Sequence, residues 1–249
     1  MNRFENQTVL VTGGSSGIGL AAAKAYAAEG ARVVITGRDE QALARAQSEI
    51  GHGAIALRND AGSVVEAKRL AASLQEQDIQ LDAIFINAGV AKFAPLSDVS
   101  ESLWDDTFNA NVKGPYFQVQ ALTGLLRPGA AIVINGSINA HIGMPNSSVY
   151  AASKAALISL AKTLSAELLP RGARVNVVSP GPISTPLYGK LGMDKDTLEA
   201  TATAIQGQIP LGRFGTPGEL ASTVLHLSAK ESAFIVGSEL IVDGGMSNL

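Results

Sequence analysis

A chain of 249 residues suits one large α/β domain, and its 46% hydrophobic content includes no run near the roughly 18 consecutive apolar residues of a membrane span. A net charge of −3 with 5% aromatic residues argues against a nucleic-acid surface, and the absence of cysteine excludes disulfides, thiolate catalysis and cysteine-held metals. The first strand begins within a few residues of Met1, which is expected to leave no room for a signal peptide, so a soluble, cytoplasmic chain with no membrane partner is expected.

Thr8-Val9-Leu10-Val11-Thr12 is a short apolar run, β-branched at Val9 and Val11, and reads as a buried strand. Gly13-Gly14-Ser15-Ser16-Gly17-Ile18-Gly19 follows at once, then helix formers from Leu20 to Glu29, with Gly30 where a helix favours a left-handed residue. Strand, glycine turn and helix have the make-up of a diphosphate site. Glycines let the backbone approach phosphates, and the N–H groups and dipole at a helix start favour an anion. The spacing Gly-x-x-x-Gly-x-Gly departs from the Gly-x-Gly-x-x-Gly fingerprint, and the plain alternative is an ordinary tight connection.

Residues 32–36 read as a second strand, followed by a helix capped at Asp39 that runs through Leu43, Ala46 and Ile50. Residues 54–57 form a third strand, and Ser63 with Glu66 suggests a capping box opening a third helix. Further strands are expected at 82–86, 130–134, 174–178 and 239–242, with Thr216-Pro217-Gly218-Glu219 starting the last helix. Continuous apolar strands alternating with helices predict a doubly wound, seven-stranded parallel sheet with helices on both faces, Rossmann-type, in a single domain spanning 1–249. Such sheets bind ligands beyond the carboxyl ends of their strands.

Tyr150-Ala-Ala-Ser-Lys154 places a phenol and an ammonium one helical turn apart, on a shared face. A positive charge beside the phenol favours phenolate and is expected to lower its pKa towards the range useful for acid–base catalysis. Taken alone, the pair is equally an ordinary half-buried tyrosine beside a solvated lysine.

Several motifs in order are similar to the short-chain dehydrogenase/reductase family, and the likeness covers nearly the whole chain. Thr12–Gly19 resembles its cofactor turn, Asn87-Ala88-Gly89 the motif after the fourth strand, and Pro180-Gly181-Pro182-Ile183-Ser184-Thr185 the nicotinamide segment. Asn111, Ser137, Tyr150 and Lys154 match the catalytic set, and Val242-Asp243-Gly244-Gly245 resembles the C-terminal signature. Ile86 and Gly136 depart from residues frequent in the family, and Gly136 leaves the shape of the active-site loop open.

The resemblance implies reduction of a carbonyl by hydride, with Tyr150 as general acid and Ser137 as a hydrogen-bond donor to the same oxygen. Lys154 would hold the nicotinamide ribose as well as tune the phenol, and the Asn111 side chain would help hold a water near Lys154. Asn111 also precedes Lys113-Gly114-Pro115, which is expected to break a helix, so it is equally an asparagine satisfying that break. Asp60 and Ala61 resemble the adenine-side pair, Asp60 being otherwise a turn residue. The cofactor contacts implied are Gly13, Ser15, Ser16, Gly17, Ile18, Gly19, Arg38, Asp60, Ala61, Asn87, Ala88, Gly89, Tyr150, Lys154, Pro180, Gly181, Ile183 and Thr185. A homotetramer is implied too.

An acidic residue ending the second strand would bond the adenosine ribose, whereas an arginine accommodates a 2′-phosphate. Here Gly37 takes that place and Arg38 follows, so NADP(H) is expected ahead of NAD(H). Asp39 either caps the next helix or turns inward to the ribose. The stretch 183–213, with glycines at 189, 192, 207 and 212 and a short helix through 197–200, is expected to be a substrate lid. Gly143, Met144 and Pro145 with Leu187 and Tyr188 would give a mainly apolar wall, suited to a neutral ketone or aldehyde. His141 reads as a surface-loop residue rather than a pocket contact. Three functions compete at this point: a carbonyl reductase acting reversibly on a small molecule, a 3-oxoacyl thioester reductase, and a non-catalytic NADP-binding sensor or scaffold.

Overall fold

The computed structural model of the chain describes residues 2–185 and 194–249. Apolar runs become seven strands: β1 (Thr8–Thr12), β2 (Arg32–Gly37), β3 (Ile55–Arg58), β4 (Leu81–Ile86), β5 (Leu126–Asn135), β6 (Arg174–Pro180) and β7 (Glu239–Val242). All pair in parallel, in the order β3-β2-β1-β4-β5-β6-β7, as the alternation of apolar strands and helices predicted. The helices are α1 (Gly17–Ala28), α2 (Glu40–Ile50), α3 (Val64–Glu76), α4 (Glu101–Phe108), α5 (Gly114–Leu122), α6 (Ser148–Leu168), α7 (Lys195–Gly207) and α8 (Pro217–Ser228). Among the described residues, no helix is long and apolar enough to cross a membrane.

Because successive strand side chains point to opposite faces, each strand feeds two cores. Val9, Val11, Val33, Ile35 and Phe85 pack with residues of α1, α2 and α8. Leu10, Val34, Ile84, Ile132 and Ile134 pack with residues of α3, α5 and α6. The strand order reverses between β1 and β4, so the turns after Thr12 and Ile86 open at one crevice.

Capping explains where the helices start. Asp39 accepts from the Ala42 N–H at 2.9 Å and so caps α2, the first of the two roles expected for it. Thr216 and Glu219 form a full reciprocal box. At α3 only half of the expected box forms: Ser63 accepts from the Glu66 N–H, but the Glu66 carboxylate is held by Arg69 at 2.6 Å.

Three boundaries differ from expectation. β5 starts at Leu126, four residues early, because Pro128 and Gly129 sit in its exposed lead-in beside a register shift against β4. β6 runs on to Pro180, since a proline can end a strand without breaking earlier ladder bonds. Lys113-Gly114-Pro115 does not break the helix. Residues Asn109–Lys113 instead form a π turn that joins α4 to α5. Gly114 is required there, because any Cβ would run into the Ala61 carbonyl oxygen. Gly114→Ala should therefore destabilise the fold by about 1–3 kcal/mol, read as a lower urea midpoint at unchanged m-value. The expected helix near 197–200 is α7, whereas Leu187, Tyr188, Gly189, Lys190 and Gly192 of the expected lid and pocket wall lie outside the described residues.

Candidate active site

The glycine turn is built on positive backbone angles, with φ of 64° at Gly13 and 53° at Gly17. A Cβ on Gly19 would strike the Gly13 carbonyl oxygen and lie 2.6 Å from Asn87 Nδ2, so only glycine lets α1 begin so near β1. Ser16 precedes α1 without making a side-chain cap bond, and the first turn carries no acidic residue. A helix start of that kind suits an anion. Asn87 closes the turn from the other side: its Nδ2 donates to the carbonyls of Thr12 (3.0 Å) and Gly13 (3.3 Å). Thr12 Oγ1 in turn accepts from the N–H groups of Asn87 and Ala88. Thr185 reaches the same turn, its Cβ 3.6 Å from where a Cβ of Gly17 would stand. Gly181 packs on the backbone of Asp243, and Ile183 is buried beside Gly215.

Ser15, Gly37 and Arg38 meet at the outer end of the crevice. A Cβ on Gly37 would come within 3.2 Å of Ser15 Oγ, and Arg38 is exposed with no hydrogen bond or ion pair among the described residues. The β2–β3 register also sets exposed Arg58 beside Gly37, a residue the sequence reading passed over; its signal was a second arginine ending an apolar run. Asp60 accepts from the Gly62 N–H at 3.0 Å, so in this structure it holds the turn before α3, with Ala61 half-buried next to it.

At the inner end, Ser137, Tyr150 and Lys154 come together. Ser137 lies just past β5, opens a short turn over residues 138–140 and faces the Tyr150 phenol, favouring its ionised form, while its Oγ donates to Asn139 Oδ1 at 3.3 Å. It also accepts from the Asn139 N–H at 3.2 Å, so the loop-capping and site roles coexist. Gly136 fixes the loop shape. A side chain there would collide with Ser179 and come within 2.7 Å of Val177, and its N–H bonds the Val178 carbonyl at 2.8 Å. Phe93 packs edge-on against Tyr150 with ring centroids 5.5 Å apart, and half-exposed Met144 stands in the loop that leads to α6. Phe93 was missed in the sequence because a lone loop aromatic has no periodicity to report it.

The electrostatics differ from the expectation for Tyr150. Burial pushes its phenol above the ordinary 10.0, and only the Ser137 hydroxyl pulls the other way. Lys154 does not depress it here: its Nζ sits 5.7 Å from the ring centroid and donates instead to the Asn135 carbonyl at 2.7 Å. Burial also lowers the Lys154 ammonium from 10.5 to about 8. Asn111 is corrected as well. Its side chain is already committed, exchanging bonds with both the N–H and the carbonyl of Val90 and donating to Ser153 Oγ at 3.0 Å. That leaves its amide no donor for the implied water. Its main-chain carbonyl is the freer group, because Pro115 lacks the N–H that an α-helix would offer it. Gly89 lets these groups converge, since a Cβ there would lie 2.9 Å from Asn111 Oδ1 and 3.8 Å from Lys154 Nζ.

His141 is tied to Glu239 at 2.7 Å, as befits a loop residue, and Asp243 holds the turn after β7 through Gly245 and Ser247.

A crevice with a glycine-lined anion cradle at one side and a serine–tyrosine–lysine cluster at the other can hold a dinucleotide and protonate a substrate oxygen. A family model described as enoyl-(acyl carrier protein) reductase matches residues 13–247. The 2-(S)-hydroxypropyl-CoM dehydrogenase 3 of Xanthobacter autotrophicus is 33% identical over 99% of this chain and 98% of its own. The chain belongs to the short-chain dehydrogenase/reductase family. A family member from Burkholderia cenocepacia solved in complex with NADP is 33% identical with a TM-score of 0.89, covering 98% of this chain and 99% of its own. Another structure, described as a putative betaketoacyl-ACP reductase, is 40% identical with a TM-score of 0.86 over 99% of this chain and all of the other. This short-chain dehydrogenase/reductase is accordingly an NAD(P)-dependent oxidoreductase acting on CH–OH and C=O groups of small molecules.

Proposed function

We propose that this short-chain dehydrogenase/reductase reduces a neutral ketone or aldehyde with NADPH, reversibly, using Tyr150 as general acid and base. The observation that carries this reading is the convergence of the Ser137 and Tyr150 hydroxyls with Lys154, in the crevice that also holds the glycine turn. The residues fit a dinucleotide: Gly13, Ser15, Ser16, Gly17, Ile18 and Gly19 would receive its diphosphate, Asp60 and Ala61 the adenine side. Asn87, Ala88, Gly89, Pro180, Gly181, Ile183 and Thr185 would flank the nicotinamide. When bound, that group supplies the hydride for the carbonyl carbon.

The protein's own part is proton delivery. Burial keeps the Tyr150 phenol protonated at neutral pH, which suits a donor waiting for the charge that develops on the substrate oxygen. Ser137 shares that oxygen as a second hydrogen-bond donor. The Lys154 charge is best placed to stabilise the phenolate left behind rather than to lower the resting phenol. The main-chain oxygen of Asn111 is our candidate for a water that would reprotonate this cluster. Phe93, Met144 and Pro145 give the apolar mouth, and the stretch 183–213 is the proposed lid.

Preference for NADP(H) over NAD(H) rests on exposed Arg38 beside a Gly37 that leaves room for a 2′-phosphate. Arg38→Ala should weaken NADPH binding about 10- to 100-fold, as loss of a charge-assisted hydrogen bond does, and leave NADH unchanged. Equal losses for the two cofactors in a fluorescence titration would contradict that role. A 3-oxoacyl thioester is the second substrate reading, favoured by the likeness to the betaketoacyl-ACP reductase structure. Assaying NADPH oxidation against simple ketones, aldehydes and acetoacetyl-CoA separates the two. For assembly we propose a homotetramer, supported by an apolar cleft lined by Phe108, Val112, Tyr116, Phe117 and Leu160. Light scattering should then report the mass of four 25.6-kDa chains.

A further inference from the structure

Asn87 and Asn135 face each other across the ends of β4 and β5, and counting donors fixes which atom does what. Asn87 spends its Nδ2 on the carbonyls of Thr12 and Gly13, so its Oδ1 must be the acceptor towards Asn135 Nδ2, 3.0 Å away. Asn135 Oδ1 is then left buried with no donor among the described residues. The main-chain oxygen of that same residue receives Lys154 Nζ at 2.7 Å. One residue thus touches the anchor of the glycine turn with its side chain and the buried lysine with its backbone.

Packing does not account for an amide here. Ile132, Val133 and Ile134 just before it are fully buried and apolar, and an apolar side chain at 135 would remove the orphaned oxygen while taking the donor from Asn87 Oδ1. A buried acceptor without a donor lowers stability, so the amide is present in spite of the fold.

We propose that Asn135 is a positioning residue that couples the glycine turn to Lys154, holding Asn87 against the turn and fixing the strand end on which the lysine rests. The inference rests on the NADP(H) reading above. Among the described residues the titratable neighbour of Lys154 is Tyr150 on α6; the loop after β4, the π turn and β5 bring Gly89, Asn111 and Asn135, none of which ionises near neutral pH.

The test titrates NADPH by its fluorescence into wild type, N135L and N135D, then records pH profiles of kcat/KM for ketone reduction. N135L keeps the branched shape but removes the donor to Asn87, so NADPH Kd should rise about tenfold, with the alkaline limb of the profile where it was. N135D should show the same loss of affinity, and its carboxylate should favour the charged lysine and move the alkaline limb up by about one pH unit. A merely structural asparagine would lower the melting temperature of both variants and leave NADPH affinity unchanged. Wild-type NADPH affinity in N135L would overturn the coupling, and that variant alone decides the matter should N135D not fold. Absence of NADPH binding by wild type would instead overturn the cofactor reading beneath it.

Discussion

Tyr150→Phe should lower kcat for carbonyl reduction by about 10²–10⁴-fold, the range that a positioned general acid contributes, while NADPH binds as before. The phenylalanine keeps the edge contact with Phe93 and the place of the ring on α6, so the loss isolates one hydroxyl. Ser137 remains, but a serine hydroxyl is a far weaker acid than a phenol and does not replace it. Turnover within a few-fold of wild type at saturating NADPH would contradict the assignment. Stopped-flow absorbance of NADPH, with cofactor affinity measured separately by fluorescence, keeps binding and chemistry apart.

Lys154→Met should do two things that ordinarily oppose each other. It should cut kcat by about 10²-fold or more, because the phenolate formed at Tyr150 loses the cation that faces its ring. At pH 7 it should also leave the fold as stable as wild type, or more so. The sign follows from proton binding. Lys154 holds its proton more weakly in the folded chain, at about 8, than at its ordinary 10.5. Below pH 8 both states are protonated and the folded one carries the full desolvation cost. Between 8 and 10.5 the unfolded chain binds more protons, so wild-type stability rises with pH through that window. The cost at neutral pH is about 3 kcal/mol, offset by about 1–3 kcal/mol for the Asn135 carbonyl that methionine leaves unpaired. Urea denaturation at pH 7 and pH 10 should show the variant equal or ahead at the first and falling behind at the second. A variant less stable than wild type by the same amount at both pH values would contradict the buried-charge account. The same titration makes the wild-type reduction rate decline as pH rises through about 8.

The fold was legible because its signals are local and redundant. Val9, Val11, Ile35 and Phe85 announce buried strands by composition, and Thr216, Pro217 and Glu219 announce a helix start by capping chemistry alone. Where one residue type carries two meanings, the reading went astray. Pro128 and Gly129 lie before the strand expected at 130–134 yet sit in β5, and Gly114-Pro115 looked like a helix break yet belongs to a helix that absorbs its extra residue in a π turn. The meeting of Ser137, Tyr150 and Lys154 was legible from the i, i+4 spacing of Tyr150 and Lys154 and from the order of motifs. Its electrostatics were not. Whether Lys154 faces the hydroxyl or the ring depends on a bond to the Asn135 carbonyl, and no spacing in the sequence reports a contact between β5 and α6. Asn111 shows the same limit: its residue type was read correctly, but the Val90 backbone that occupies its amide comes from a loop twenty-one positions away. Asn135 went unremarked because its partners, Asn87 and Lys154, lie on either side of it in the sequence and meet only in the folded sheet.

The most direct measurement follows the label in a single turnover. Enzyme loaded with NADPH deuterated at C4 of the nicotinamide is mixed with the ketone and aldehyde panel, and the product alcohol is weighed by mass spectrometry. If the Tyr150 hydroxyl delivers the proton as hydride arrives, wild type yields alcohol carrying one deuterium on the former carbonyl carbon, and Tyr150→Phe forms it about 10²–10⁴-fold more slowly. Bound NADPH that passes no deuterium to any carbonyl offered, or an equal rate of labelling by the phenylalanine variant, would contradict the account.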